Sequence, residues 1–314
     1  MRERRLDMRT SGVAPSAFTR IICMSDQYSF GSHPVHYLNP RVDLSKIKRV
    51  AFDMDGTIYK GGTLFPFTRD VFDTLEKIGI EYTFLTNNSS KSAKDYLKKI
   101  LSLGLKATPD NITTSASATF FYLKQHYPDV KKIYVLGTAS LREEFTEHGY
   151  TMIDEFNETE EPELVVVAFD TTLTYERLCK GTYWIGQNKP YIASHPDTVC
   201  PTDLPTILVD CGAVQALIEN VTGRRPEAVP GKPDKDMIGG IMDKYNLQKD
   251  EIMMVGDRIY TDMEMARRAE IPGVLVLTGE ATLESLKESG MTPELVLDNI
   301  SVLADLLVKA KTGK

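Results

Sequence analysis

Residues 48–57, Lys-Arg-Val-Ala-Phe-Asp-Met-Asp-Gly-Thr, constrain this chain more than any other stretch. Val50-Ala51-Phe52 reads as a short buried strand. Asp53 and Asp55 then stand two residues apart where the strand must stop, and Gly56 permits a turn that other residues resist. Open α/β sheets carry their ligands at the carboxyl ends of their strands, so acids at that edge are placed for chemistry. The pentapeptide alone also fits a polar turn in which Asp55 or Thr57 caps a neighbouring element. The rest of the chain decides between the two.

The pattern that follows is a β/α alternation. Gly61-Gly62 between β-formers marks a tight hairpin. Thr68 to Ile78 reads as a helix with Val71, Leu75 and Ile78 on one face. Tyr82 to Leu85 is a second strand, ending in Thr86-Asn87-Asn88-Ser89-Ser90, and Ser92 with Asp95 resembles a capping box. Ile112 to Ser115 is read as the opening of a helix that runs to about Tyr127. A new series then begins, with strands at 133–136, 164–167 and 190–193 and a weaker fourth at 206–209. The first pattern resumes at Gly231-Lys232-Pro233, and the strand 251–255 ends in Gly256-Asp257-Arg258 with Thr261-Asp262 behind it. Thr261 and Glu264 suggest another capping box. Residues 273–279 and 295–297 read as further strands, and a helix from about 301 to 309 completes the series.

Length and composition narrow the class. A chain of 314 residues implies one large or two medium domains. The net charge of -7 argues against a nucleic-acid partner, and no apolar run is long enough for a membrane span. Cys23, Cys179, Cys200 and Cys211 lack metal or redox spacing, which points to free thiols in a reducing compartment and so to the cytoplasm. The arginines of residues 2–20 sit in a polar stretch without an apolar h-region, so a secretory signal is not expected. A weak organelle-targeting segment, or a true start at Met24, fits that stretch equally well. Residues 1 to about 40 are expected to be poorly ordered or loosely packed.

Four strand-end features now stand in order: Asp53/Asp55, Thr86, Lys232 and Asp257/Asp262. In a parallel sheet all of them lie along one edge. The chemistry that suits them is phosphoryl transfer. Asp53 and Asp257 are hard oxygen ligands for Mg²⁺, and Lys232 and Thr86 would neutralise and hydrogen-bond phosphate oxygens. One carboxylate can serve as nucleophile and the other as general acid and base.

Asp-Met-Asp-Gly-Thr-Ile-Tyr, Thr-Asn-Asn-Ser-Ser, Gly-Lys-Pro and Gly-Asp-Arg-x-x-Thr-Asp, in this order, resemble the haloacid dehalogenase superfamily. The chain looks most like its NagD-like or 4-nitrophenylphosphatase-like branch, from about Lys46 onward. The resemblance implies an α/β fold: a Rossmann-like core with a parallel sheet and helices on both faces, plus a smaller inserted α/β cap. Residues 1–45 would be an N-terminal extension, 46–128 and 229–314 the catalytic core, and 129–228 the C2-type cap. Asp53 would be the nucleophile and Asp55 the general acid/base. Mg²⁺ would bind Asp53, the Asp55 carbonyl and Asp257. Thr86, Asn87 and Lys232 would hold phosphate, and Asp262 would orient metal waters or Lys232. The linkers near 128 and 228 would be hinges for cap closure.

The implied activity is Mg²⁺-dependent hydrolysis of small soluble phosphate esters: sugar phosphates, nucleoside monophosphates or phosphoglycolate-like acids, with 4-nitrophenyl phosphate as an artificial substrate. A phosphotransferase or mutase is the alternative, followed by a phospho-accepting signalling module. Family members are often dimers, which keeps a homodimer open. Phe169-Asp170, Tyr175, Ala193 to Asp197 and Gly212-Ala213 are family-like marks in the cap. Two departures stand out: Ser194-His195 where the branch usually has Thr-Asn, and Val209-Asp210 where it usually has Pro and a small residue. Both stretches are expected to face the active site, with His195 as a substrate contact.

Overall fold

The structure is a computed structural model that describes residues 29–30, 33–154, 159–200 and 206–313. Its large sheet contains β1 (Ser29–Phe30), β2 (His33–Leu38), β3 (Arg49–Asp53), β6 (Glu81–Thr86), β7 (Ile112–Thr114), β14 (Ile252–Gly256), β15 (Gly273–Val276) and β16 (Leu295–Leu297). Their order is β1-β2-β16-β15-β14-β3-β6-β7. From β16 to β7 all neighbours are parallel, while β2 pairs antiparallel to β16 and β1 to β2.

The central strands are covered on both faces, which is why they read as near-continuous apolar runs. All five residues of β3 and of β14 are buried. Alternate side chains serve opposite layers. Val50, Phe52, Met253 and Val255 pack with Val71, Phe72 and Leu75 of the helix Thr68–Lys77 and with Leu303 and Leu307 of the helix Ile300–Thr312. Ala51, Ile252 and Met254 face Met237, Ile238 and Ile241 of the helix Asp236–Tyr245. This double cover makes β3 rigid, and with it the position of Asp53.

A second sheet, of order β11-β10-β8-β9, is built by β8 (Lys132–Leu136), β9 (Thr151–Met152), β10 (Leu164–Val167) and β11 (Tyr191–Ala193), all parallel. It has its own core, in which Tyr134, Val165, Trp184, Tyr191 and Ile218 pack together. Two short hairpins complete the architecture. One pairs β4 (Tyr59–Lys60) with β5 (Thr63–Leu64), with Gly61 at φ +58° in the expected turn. The other pairs β12 (Val199–Cys200) with β13 (Leu208–Val209).

Several sequence expectations need correction. Residues 33–38 are a strand rather than loose chain, because β2 covers the open edge of β16 and buries Val35; residues 1–28 lie outside the described residues. Ile112–Thr114 is a parallel strand, and the helix starts only at Ser115, capped by the Thr114 hydroxyl. The fourth strand of the second sheet is β9. Leu208–Val209 is exposed and pairs only with β12, since a two-residue antiparallel arm has no register with the parallel ladder. The Ser92/Asp95 capping box is present, but the Thr261/Glu264 box is not. Residues 259–263 form a π-helical turn, and Arg267 and Arg268 take the Glu264 carboxylate instead.

Candidate active site

β14, β3 and β6 are adjacent, so Asp257, Asp53 and Thr86 arrive side by side at their carboxyl ends. Lys232 reaches them from the loop before the helix Asp236–Tyr245. Its Nζ donates to Asp53 Oδ1 at 2.5 Å and to Asp262 Oδ1 at 2.7 Å. Lys232 and Asp262 are almost wholly buried. Burial works against the ammonium charge, but Asp262 and Asp53 outweigh it and hold Lys232 above the ordinary lysine range. The π-helical turn that replaces the expected cap aims Asp262 inward, where Oδ2 also accepts from Arg258 N at 3.1 Å.

Asp257 is 3% exposed and sits against Gly56 and Gly279. A Cβ at either glycine would collide with its carboxylate, and Gly56 also has φ +87°. Both positions therefore require glycine. Asp257 Oδ2 accepts from Glu280 N at 2.7 Å, whereas Oδ1 is buried with no partner among the described residues. Burial first, then Asp53 and Asp262, push the Asp257 carboxyl up.

One carboxylate oxygen from each of Asp53, Asp257 and Asp262 lies within 4.8 Å of the others. With all three ionised, the Lys232 ammonium would offset one negative charge and a divalent cation the other two. The all-oxygen donor set and the orphaned Asp257 oxygen fit a hard dication.

Asp53, Thr86 and Lys232 open on a cavity of about 110 Å³, lined also by Asp55, Tyr59, Asn88, Lys91, Lys99, Asp197 and Arg258. Asp55 is the solvent-reached acid of the motif, and its pKa is raised chiefly by restricted solvation. A raised carboxyl is suited to carrying a proton.

A haloacid dehalogenase-like hydrolase model matches residues 50–151, and a HAD-hydrolase-like model matches 229–303. The 4-nitrophenylphosphatase from Thermotoga maritima is 38% identical, with TM-score 0.78 over 83% of this chain and 98% of that one. The chain belongs to the haloacid dehalogenase-like hydrolases. NagD from Escherichia coli K-12 superposes with TM-score 0.72 at 26% identity, covering 82% of this chain and 98% of NagD. The acid sugar phosphatase of Staphylococcus haemolyticus is 29% identical over 266 residues, 85% of this chain and 98% of that protein. The chain is a phosphatase of this superfamily, and the second sheet is its cap. No helix among the described residues is long and apolar enough to cross a membrane.

In this haloacid dehalogenase-like phosphatase the cap closes the cavity through direct bonds. Ser89 Oγ meets Ser194 Oγ at 3.0 Å and accepts from Phe169 N at 3.0 Å. The Asn87 amide accepts from Lys232 N at 2.8 Å and donates to Lys232 O at 2.9 Å and to both Asp197 oxygens at 3.3 Å. Asn87, expected to hold phosphate, therefore has its side chain committed to the Lys232 loop and the cap. Thr86 lines the cavity, and its Oγ1 accepts from Asn88 N at 3.2 Å.

His195 is fully buried and does not line the cavity; Asp197 and Asp210 stand there instead. Its Nδ1 faces Asp197 Oδ2 at 3.7 Å and its Nε2 faces Asp210 Oδ1 at 3.5 Å, both too long for good hydrogen bonds. Burial holds the imidazole down at about 4, hence neutral at pH 7.

Sequence reasoning passed over Arg258, whose NH1 reaches Asp197 at 3.1 Å and whose Nε reaches Glu280 at 3.1 Å. Its place directly after Asp257 was the available signal. Asp170, a family-like mark, is an internal partner of Arg177 at 2.7 Å and so serves the cap's own structure.

Proposed function

We propose that the chain is a divalent-metal-dependent phosphomonoesterase that cleaves small soluble phosphate esters through an aspartyl-phosphate on Asp53. The observation that carries this reading is the convergence of Asp53, Asp55, Thr86 and Lys232 on one small cavity, with the orphaned Asp257 oxygen beside them. Asp53, the Asp55 carbonyl and Asp257 would hold Mg²⁺. When bound, the ion would supply positive charge against the phosphate oxygens and lower the repulsion between substrate and carboxylates.

The chain's own residues account for the remaining steps. An Asp53 oxygen attacks phosphorus, and the ester P–O bond breaks as Asp55 gives its proton to the leaving oxygen. Asp55, now a carboxylate, takes a proton from water, which attacks the acyl phosphate and releases inorganic phosphate and free Asp53. Lys232 holds the Asp53 carboxylate in place before attack and offsets phosphate charge afterwards. Thr86 would donate to a phosphate oxygen, and Asp262 keeps Lys232 in place.

Residues 129–228 would act as the cap, with 46–128 and 229–314 as the core, so that closure excludes water from the acyl phosphate. The curated relatives that act on sugar phosphates support that substrate class. The cavity also supports a small ester: about 110 Å³ is less than the roughly 150 Å³ that accommodates a benzene ring. A nucleoside would require the cap to open.

The test is phosphate release from a panel of small phosphomonoesters with Mg²⁺ and with EDTA. Metal-dependent release is expected. Release that persists at full rate under chelation would overturn the metal role, and turnover by Asp53→Asn would overturn the nucleophile.

A further inference from the structure

The two stretches that depart from the branch pattern lie 15 residues apart in sequence but meet in space. His195 Nε2 and Asp210 Oδ1 are 3.5 Å apart, at the cap side of the cavity. Asp210 caps the helix Cys211–Thr222, its Oδ1 accepting from Cys211 N at 2.6 Å. No hydrogen bond reaches its Oδ2 among the described residues, and no Lys or Arg nitrogen among them lies within 4 Å of it. Asp197 differs: Arg258 and Asn87 already occupy its oxygens. His195 lies behind both acids with neither ring nitrogen bonded, so it lends Asp210 a neighbour but no full counter-charge.

We infer that Asp210, positioned by His195, is the specificity residue of the cap: it accepts a hydrogen bond from a hydroxyl or ammonium on the leaving group and turns away esters that carry a carboxylate. This rests on the phosphatase reading above, because phosphate bound at Asp53 and Lys232 directs the leaving group toward the cap side of a cavity with room for only a few carbons. An acceptor on the cavity wall that no protein group satisfies loses its water when substrate enters, which disfavours any substrate that cannot donate to it. A substrate carboxylate aimed at Asp210, rather than at Lys91, Lys99 or Arg258 of the same lining, would meet like charge.

His195 is a positioning residue in this scheme. A neutral imidazole carries one N–H and one lone pair, so it can donate to only one of its two carboxylates. Donation to Asp210 Oδ1 would add to the Cys211 N–H and leave Oδ2 as the oxygen offered to substrate.

The test measures kcat and KM on the full chain with Mg²⁺ for glycerol phosphate, phosphoethanolamine, phosphoglycolate and 4-nitrophenyl phosphate. The wild type should favour the first two over phosphoglycolate by about tenfold or more in kcat/KM. Preference for the ammonium over the hydroxyl would mark Asp210 as anionic in the complex and supports the assignment; equal rates for the two would mark it as uncharged and overturn the exclusion of carboxylates. Asp210→Asn keeps a group able to cap the helix but offers N–H where the acid offers an acceptor, so the ranking should move toward phosphoglycolate, mainly through KM. Asp210→Ser also retains a cap and should flatten the ranking. His195→Asn should weaken the preference, and it should add nothing in the Asp210→Asn background. Unchanged ranking in both folded Asp210 variants, or a wild-type preference for phosphoglycolate, overturns the inference. Failure of the phosphatase reading looks different: no metal-dependent release from any of the four esters.

Discussion

The core and cap sides of this site both gather buried acids, but they handle the charge differently. In the core, Asp53 and Asp262 share Lys232 at 2.5 and 2.7 Å, and Asp257 keeps one oxygen orphaned. In the cap, Asp197 is taken by Arg258, and Asp210 has an imidazole at 3.5 Å but no Lys or Arg ion pair of its own among the described residues. The core thus holds a charge deficit that a dication can fill. The cap holds a smaller one that a neutral donor or a single ammonium can fill. On the proposed reading, affinity for metal and phosphate belongs to one side, and discrimination between leaving groups to the other.

The contrast can be broken most severely at the core. Asp53→Asn should lower phosphate release by about a thousandfold or more with the fold retained, measured as single-turnover release alongside circular dichroism. Lys232→Met leaves Asp53 and Asp262 buried and unpaired. It should cost about 3–5 kcal/mol of stability, read from urea unfolding. A loss well under that would mean that the two acids are not jointly compensated by Lys232.

Metal gives a third, smaller effect that needs no turnover. Mg²⁺ at about a hundred times its Kd should stabilise the folded chain by about 2.7 kcal/mol, a shift of several degrees in melting temperature. Asp257→Asn should lose most of that increment. If both proteins respond alike, the cation does not sit at Asp257.

The smallest effect sharpens the comparison on the cap side, through pH. Burial holds His195 down at about 4 and pushes Asp210 up to about 7, with Asp197 and Arg258 facing both. As pH falls from about 6.5 to 4, the unfolded imidazole takes a proton that the folded one refuses, so His195 alone costs stability. Asp210 has the opposite sign. Its folded carboxyl protonates near 7 and its unfolded one only near 3.9, so stability is gained on acidification. In the wild type the two largely cancel between pH 4 and 6.5. Relative to wild type, His195→Asn should therefore gain stability as pH is lowered through this window, and Asp210→Asn should lose it. Each slope has an upper limit of about 1.4 kcal/mol per pH unit. Parallel stability curves for the three proteins would show that desolvation does not act on this pair.

The core half of the site was legible in the sequence because each element is local. Asp53, Thr86 and Asp257 each follow an apolar strand, and parallel topology brings those ends to one edge whatever lies between them. The alternation of strands and helices gave the doubly covered sheet for the same reason. Short elements were harder. β7 has only three residues, so nothing local separates its Ile112-Thr113-Thr114 from the start of a helix. β9 has two, and only its pairing with β8 makes it a strand. The Thr261/Glu264 spacing satisfied a capping pattern, but the pull of Lys232 on Asp262 and of Arg267 and Arg268 on Glu264 prevailed.

The order of the motifs, the apolar runs and the acids at their ends determined from sequence alone that this chain folds as a haloacid dehalogenase-like enzyme and where its strand-end carboxylates stand. Those features depend on backbone hydrogen bonding and on the two-residue period of a strand, which act over short distances. Which side chains meet across the cavity was decided only by the tertiary structure. That Asn87 ties the Lys232 loop to Asp197 and that Arg258 pairs with Asp197 and leaves Asp210 without a cation depend on how the cap docks, and that His195 sits behind the two acids depends on how the cap itself packs. Docking is set by packing and buried charge between segments more than 100 residues apart, and no local pattern encodes it.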